Sequence, residues 1–248
     1  MSKFFHRKKT AIVLITAFVI LAALFAVCTV YVSNYYEADL NAIESFMPNM
    51  TTEIYKNDYI SIGNSNSEIG FVFYPGGKVE YTSYLPLMRA LAEKGIFCVL
   101  YDMPFNLAVL GINSADGISE LYPSVEKWYI GGHSLGGSMA ASYISNNSDD
   151  FCGIVLLGSY STADLSTLDV RALSIYGSND GVMNRQKYED NKKNLPEDFT
   201  EIIIEGGSHA YFGMYGEQDG DGQASITAEE QILITAEYVS SFLVDKNG

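Results

Sequence analysis

A glycine-rich run at residues 131–137, Gly-Gly-His-Ser-Leu-Gly-Gly, constrains the fold more than any other feature of the chain. Residues 132–136 fit the pattern G-x-S-x-G, in which a serine occupies a sharp strand-to-helix turn. Small residues on either side let such a turn close without steric clash. Apolar residues 128–130 before it predict a strand, and residues 139–144 after it predict a helix, which is the context that the pattern requires. The run therefore predicts that Ser134 is a nucleophile.

Apolar strand-like runs alternate with helix-like segments along the rest of the chain. Apolar runs predict strands at residues 59–62, 69–74, 96–101, 151–157, 170–176 and 199–205. Helical spacing predicts helices at residues 34–47, 84–94, 112–121, 185–194 and 227–244. Thr227 and Glu230 predict a capping box at the start of the last helix. Uninterrupted apolar strands separated by helices are typical of a mostly parallel sheet with helices on both faces, so the predicted fold class is α/β.

The N-terminal segment predicts a membrane anchor. Residues 11–32 are 22 consecutive uncharged residues, long enough as a helix to cross a hydrocarbon core of roughly 30 Å. Basic residues precede this segment, and no acidic residue occurs before Glu37. Because positive charge stays cytoplasmic, we expect a cytoplasmic tail at residues 1–9, a transmembrane signal anchor at residues 10–33 and an extracytoplasmic remainder. The rival interpretation is a cleaved signal peptide, but the apolar run exceeds the usual length of about 7–15 residues and no A-x-A-like site follows.

The remaining residues predict a tether and one catalytic domain. Residues 34–57 form the juxtamembrane tether or helix, and residues 58–248 suit one α/β domain with a sizeable core. Without the four N-terminal basic residues, 11 basic residues face 30 acidic ones, a formal charge of −19. Such a surface repels nucleic acid and anionic lipid head groups, so we expect no nucleic-acid partner and contact with the lipid bilayer through the N-terminal helix. The three cysteines show no metal-binding spacing.

A serine hydroxyl needs a base, and elimination among the three histidines selects one. His6 precedes the membrane segment, and His133 occupies the variable position of the turn, from which its side chain should point away from the serine hydroxyl. His209 remains, among glycines directly after the last predicted strand. Asp180 is the best candidate for the acid that orients the base, because it follows a strand end, where sites of open α/β sheets collect. The order Ser134, Asp180, His209 matches the serine-acid-histidine order that accompanies this turn.

An acyl-transfer intermediate needs two hydrogen-bond donors for its oxyanion. The backbone N–H of Leu135, next to the nucleophile, is predicted as one donor. The loop after the strand at residues 69–74 should supply the other, with Gly77 preferred and Lys78 close behind. The run Asp-Gly-Asp-Gly at residues 219–222 lacks the third acidic position and the distal Glu of a calcium loop, and it predicts a solvated turn.

Four segments together resemble the α/β-hydrolase superfamily, in particular its compact branch labelled α/β hydrolase fold-5, which is similar to dienelactone hydrolases and small carboxylesterases. They are Tyr-Pro-Gly-Gly-Lys-Val at 74–79, the run at 131–137, Tyr-Gly-Ser-Asn-Asp-Gly at 176–181 and Glu-Gly-Gly-Ser-His-Ala-Tyr-Phe-Gly at 205–213. The resemblance covers residues 58–244 and leaves the membrane segment outside. It implies an eight-stranded type of sheet, and a Ser-His-Asp triad that works without a metal or an organic cofactor.

We expect an open site and an esterase. Only about 12 residues separate Leu157 from Val170, too few for the lid domain that many members of this superfamily insert there. A membrane-tethered site without a cap domain favours short or surface-displayed acyl esters, cleaved by a carboxylesterase through an acyl-enzyme. The alternatives are a thioesterase or acyltransferase with the same triad, and a non-catalytic envelope protein that retains the fold as a binding module.

Overall fold

The computed structural model describes residues 2–49 and 52–245, with side chains from residue 14 onward. The chain divides into two compact units, Met1–Tyr35 and Tyr36–Gly248. The first unit contains the helix α1 (Ser2–Ser33), and its part Leu14–Ser33 has a mean hydropathy of 2.6 with none of it buried. By length and composition this part is a candidate membrane span. The side chains of the basic tail predicted at residues 1–9 lie outside the described residues.

An eight-stranded sheet forms the centre of the second unit. Its strands are β1 (Glu53–Tyr55), β2 (Tyr59–Ile62), β3 (Ile69–Tyr74), β4 (Phe97–Tyr101), β5 (Lys127–His133), β6 (Gly153–Leu157), β7 (Arg171–Gly177) and β8 (Phe199–Ile204). The spatial order is β1-β2-β4-β3-β5-β6-β7-β8. The β1–β2 and β2–β4 pairs are antiparallel, and the other neighbours are parallel. The mostly parallel sheet expected from the apolar runs is confirmed.

Helices cover both faces of this sheet. They are α2 (Leu40–Phe46), α3 (Leu85–Glu93), α4 (Ile118–Leu121), α5 (Leu135–Ile144), α6 (Arg185–Asn191) and α7 (Ala228–Val244). Side chains alternate along β3, so Phe71 and Phe73 enter one apolar core with α3 and α7, while Val72 and Tyr74 enter a second core with α5. Because both faces of the strand are buried, its sequence is a continuous apolar run.

The predicted helix at residues 112–121 is wrong over most of its length, because only α4 is helical there. The buried hydroxyl of Tyr74 donates a hydrogen bond to the Ile112 carbonyl at 2.9 Å and accepts one from the Ala115 N–H at 3.1 Å. A side chain from the sheet thus satisfies backbone groups that a helix would have paired internally. Residues 158–170, all of which the structure describes, contain no helix or strand, so the expected absence of a cap domain between β6 and β7 holds.

Residues 36–57 belong to the same compact unit as the sheet. Tyr36 forms a parallel bridge with Val79, and Ile43 of α2 is fully buried. The buried guanidinium of Arg89 in α3 donates hydrogen bonds to Glu53 at 2.6 Å, to Glu44 at 2.8 Å and to the Met47 carbonyl at 2.6 Å. These bonds join α2 and β1 to the helix α3 that covers the sheet.

Candidate active site

Ser134 occupies the sharp turn between β5 and α5. Its backbone has φ 52° and ψ −119°, a conformation that L-residues rarely adopt. A Cβ atom at Gly132 would lie 2.5 Å from the Tyr74 carbonyl oxygen, and one at Gly136 would lie 2.2 Å from the same atom. Only glycine therefore fits on either side of the serine, as the G-x-S-x-G pattern requires. The half-buried serine lies at the carboxyl end of a central strand, where its strained backbone presents the side chain.

Asp180 and His209 form a buried hydrogen-bonded pair. The Nδ1 atom of His209 lies 2.8 Å from Oδ2 of Asp180, and both side chains are at most 1% exposed. The other carboxylate oxygen accepts the N–H groups of Val182 at 3.0 Å and Met183 at 2.8 Å. Because the carboxylate accepts from Nδ1–H, the proton of neutral His209 lies on Nδ1 and leaves Nε2 as an acceptor. Nε2 has no hydrogen-bond partner among the described residues.

Ser134 is held at the same edge of the sheet as this pair. The N–H of Ser134 donates to the Leu157 carbonyl at 2.9 Å. The residue after Leu157 is Gly158, which lies against the Asp180–His209 pair. A Cβ atom on Gly158 would meet Nδ1 of His209 at 3.0 Å and Oδ2 of Asp180 at 3.2 Å. The carboxyl ends of β5, β6, β7 and β8 therefore bring together residues that are far apart in the sequence, as open α/β sheets do at their ligand-binding edge.

Two backbone N–H groups next to Ser134 are available to a ligand. Leu135 is the first residue of α5, so its N–H has no intrahelical acceptor. In the loop after β3, the Gly76 N–H donates to the Tyr84 hydroxyl at 3.0 Å and the Lys78 N–H to the Asn106 carbonyl at 2.7 Å. The N–H of Gly77 between them donates to no acceptor among the described residues. Gly77 is also close to the turn, because a Cβ atom there would lie 2.9 Å from Cδ2 of Leu135.

His133 has a structural position that sequence reasoning missed. Its ring is fully buried, with its centroid 4.4 Å from that of His209, and its Nδ1 lies 2.8 Å from the Tyr84 hydroxyl. Because that hydroxyl accepts from the Gly76 N–H, its own proton points to Nδ1, and neutral His133 carries its proton on Nε2. Burial, together with the neighbouring His209, holds the pKa of His133 well below its ordinary value of 6.5. Tyr84 and His133 thus join the loop of Gly77 to His209.

This buried histidine should make stability depend on pH. The unfolded chain takes up a proton at His133 near pH 6.5 and the folded protein does not, so the free energy of unfolding should fall as the pH drops below about 6.5, by up to about 1.4 kcal/mol per pH unit. Urea unfolding at about pH 7.5 and about pH 5.5 measures this loss. The variant His133→Gln should lose less stability over the same interval, and equal losses in both proteins would contradict the assignment.

Asp221 connects the loops of Asp180 and His209. Its Oδ1 accepts the N–H groups of Gly181 at 3.0 Å, His209 at 3.2 Å and Gly222 at 2.8 Å, and its Oδ2 accepts that of Ala210 at 2.8 Å. The expectation of a solvated turn at residues 219–222 is therefore wrong for this residue, because backbone groups from two other loops occupy its carboxylate. Within the described residues no group of three or more His, Cys, Asp or Glu side chains is arranged to hold a metal ion.

Removal of the Asp221 carboxylate should loosen the geometry of the pair. The change Asp221→Ala leaves backbone N–H groups unpaired, and we expect it to cost about 1–3 kcal/mol of stability and about 10- to 100-fold in kcat through misplacement of the base. Thermal unfolding and ester hydrolysis measure the two effects. The exposed Asp219 in the same loop accepts no hydrogen bond from the described residues, so Asp219→Ala is the matched control. Equal effects of the two changes would exclude a positioning role for Asp221.

The comparisons with known proteins concern the fold and the family of the chain. A search of curated proteins finds no match. Among solved structures, the chain is similar to a carboxylesterase from Bacillus subtilis (12% identity, TM-score 0.59, covering 82% of this chain and 95% of that one). It is also similar to a dienelactone hydrolase from Anabaena variabilis (14% identity, TM-score 0.58, covering 78% and 97%). A third similar structure is a monoacylglycerol lipase from Paleococcus ferrophilus (15% identity, TM-score 0.57, covering 77% and 99%).

At such identities these structures establish the fold. The sequence itself supplies the family, because residues 70–233 match the family model described as Alpha/beta hydrolase family. That match covers the turn with Ser134, the loop with Gly77 and both members of the buried pair, and it confirms the resemblance found in the four sequence segments. The chain belongs to the alpha/beta hydrolase family.

Proposed function

We propose that this protein is a serine hydrolase that cleaves carboxylic esters through a triad of Ser134, His209 and Asp180. One observation carries the proposal: the buried Asp180–His209 hydrogen bond leaves Nε2 of His209 without a partner among the described residues, at the sheet edge where the strained turn holds Ser134. An imidazole that has one nitrogen hydrogen-bonded to a carboxylate and the other free to accept a proton is the arrangement that activates a hydroxyl.

The reaction takes place in two halves. Nε2 of His209 accepts the hydroxyl proton as Ser134 Oγ attacks the acyl carbonyl carbon, and the N–H groups of Leu135 and Gly77 stabilise the resulting oxyanion. The intermediate then collapses: the bond to the alcohol breaks, and the imidazolium returns its proton to the leaving oxygen. Water next attacks the acyl-enzyme with the same base and releases the carboxylic acid. Asp180 stabilises the imidazolium in both halves.

The short connection between β6 and β7 supports small or surface-displayed acyl esters as substrates. The irregular residues 158–170 stand where a lid domain would be inserted, so no buried chain-length tunnel is built from them. We further propose that α1 is a signal anchor and that the catalytic domain lies on the extracytoplasmic side. The apolar span Leu14–Ser33 supports the anchor, and the basic residues that precede it support the orientation.

Labelling with a fluorophosphonate tests the proposal directly, because this reagent phosphonylates an activated serine. We expect one covalent adduct on Ser134, located by peptide mass spectrometry, and no adduct in Ser134→Ala. Ser138 provides a matched control one turn along α5, since its hydroxyl donates to the Tyr160 carbonyl at 2.9 Å. Labelling of Ser138→Ala should therefore be unchanged. An unlabelled wild-type protein, or a label on another serine, would refute the triad.

A further inference from the structure

Tyr36 joins the two loops that flank the proposed triad. Its N–H donates to the Lys78 carbonyl at 2.8 Å, and its carbonyl accepts the N–H of Glu80 at 2.9 Å, directly after the loop of Gly77. Its hydroxyl accepts the N–H of Asp219 at 3.1 Å, and its ring centroid lies 5.7 Å from that of Tyr215, in the loop that follows His209. Tyr36 is thus fixed at the rim of the site.

Very little chain separates Tyr36 from the candidate membrane span. The span ends at Ser33, and only Asn34 and Tyr35 intervene. Three consecutive Cα–Cα steps of 3.8 Å reach at most roughly 11 Å. The residues after Tyr36 do not lengthen this connection, because they are themselves bonded to the domain. The Ala38 N–H donates to Glu80 at 2.9 Å and the Asp39 N–H donates to the Met214 carbonyl at 2.9 Å. If α1 spans a bilayer, Tyr36 follows the end of the span within three residues.

Exposed apolar side chains occur on the same rim. Phe105, Val109 and Leu110 are 64%, 53% and 57% exposed, and their segment is joined to the loop of Gly77 by the hydrogen bond between Lys78 N–H and the Asn106 carbonyl. Phe105 has φ 55°, which for a bulky L-residue costs about 1–2 kcal/mol. In water the Phe105 ring stays exposed, so burial of apolar surface does not offset this cost. A strained backbone that exposes a large apolar ring beside a site is typical of a contact surface.

We infer that the site works at the bilayer surface, on a neutral acyl ester whose chain stays in the bilayer. This inference rests on the proposed esterase function and on α1 as a membrane anchor. It agrees with the absence of a lid, because a chain held by lipid needs no tunnel in the protein. The apolar rim of Phe105, Val109 and Leu110 would face the lipid. The formal charge of −19 beyond the anchor selects neutral or zwitterionic lipid over anionic lipid.

Two esters with the same 4-methylumbelliferyl leaving group distinguish an effect of where the substrate lies from an effect on the catalytic reaction. The full chain is reconstituted in phosphatidylcholine vesicles, with the acetate ester in water and the oleate ester in the bilayer. A spacer of four EAAAK repeats inserted after Ser33 continues α1 as a semi-rigid helix of roughly 30 Å. We expect it to lower oleate hydrolysis about 10-fold or more and to leave acetate hydrolysis unchanged. A Gly/Ser insert of the same length is flexible and should retain oleate hydrolysis to within about 3-fold.

A second variant tests the rim without weakening the fold. Asn tolerates the left-handed conformation, so Phe105→Asn should raise thermal stability while lowering the ratio of oleate to acetate hydrolysis several-fold. Added phosphatidylglycerol should lower oleate hydrolysis at low salt, with recovery at high salt. If acetate is hydrolysed but the rigid spacer leaves the rate of oleate hydrolysis unchanged, the inference is wrong and the esterase proposal stands. If the unaltered chain hydrolyses neither ester, the proposed function and this inference fail together.

Discussion

The change Ser134→Ala should lower kcat for ester hydrolysis by about 10⁵- to 10⁶-fold, because the proposed acyl-enzyme forms on the Ser134 hydroxyl. The remaining groups, the oxyanion donors and the base, retain only a small acceleration over water. Steady-state hydrolysis of a nitrophenyl ester by the purified protein measures the loss. A decrease of less than about 10-fold would show that the turnover arises elsewhere or that water attacks the substrate without an acyl-enzyme.

A glycine at the same position separates loss of the nucleophile from damage to the fold. Alanine keeps the Cβ atom in the strained conformation at φ 52°, whereas glycine adopts this conformation without steric cost. Relief of strain worth about 1–3 kcal/mol exceeds the entropic cost of glycine in the unfolded chain, about 0.4–1 kcal/mol. Ser134→Gly should therefore be inactive and more stable than Ser134→Ala. The reverse order in thermal unfolding would contradict strain at the turn.

The second large effect is expected at the acid. In Asp180→Asn the amide oxygen can still accept the N–H groups of Val182 and Met183, which turns the amide NH₂ toward Nδ1 of His209. Nδ1 must then act as the acceptor and the proton moves to Nε2, so the imidazole can no longer accept the serine proton. We expect kcat to fall about 10⁴-fold with little change in the fold.

The tautomer of His209 distinguishes this mechanism from a general loss of structure in Asp180→Asn. Nitrogen NMR of labelled His209 should show the proton on Nδ1 in the wild-type protein and on Nε2 in Asp180→Asn. The exposed Asp164 lies in the segment after β6, and its carboxylate accepts only from Ser166, at 3.0 Å and 2.6 Å, among the described residues. Asp164→Asn is therefore the matched control, and kcat should not change. Loss of activity in Asp180→Asn without a change of tautomer would contradict the role assigned to Asp180.

The elements that could be predicted from the sequence are those with a strong local pattern. The apolar runs predicted the ends of the parallel strands to within three residues, and the capping box of Thr227 and Glu230 is present at the start of α7. The strand β1 escaped prediction because it has only three residues, at the sheet edge and without a buried apolar side chain. The buried pair of Asp180 and His209 was accessible because each member follows a strand end, a position that topology alone brings to one edge.

The contacts that sequence reasoning missed are long-range and polar. Asp221 lies in a glycine-rich run that has the composition of a turn, and nothing local indicates that the N–H groups that donate to its carboxylate lie 12 and 40 residues away. The contact between His133 and Tyr84 spans 49 residues, and Tyr84 resembles any buried tyrosine in a sequence. The helical pattern at residues 112–121 failed for the same reason, because the Tyr74 hydroxyl of β3 forms hydrogen bonds with backbone groups of that segment. Such contacts depend on where the sheet brings loops together, which local spacing does not encode.

The three hydrogen bonds of the Arg89 guanidinium determine where the compact unit that begins at Tyr36 can be cut. A chain that began at residue 58 would lack Glu44, Met47 and Glu53, and an arginine side chain that is 3% exposed would lose every acceptor described above. Stripping the partners from a buried charge costs about 3–5 kcal/mol, a large share of the stability of a domain this size. Proteolytic release of an active soluble form would therefore have to occur before Glu44, so that all three acceptors stay with α3.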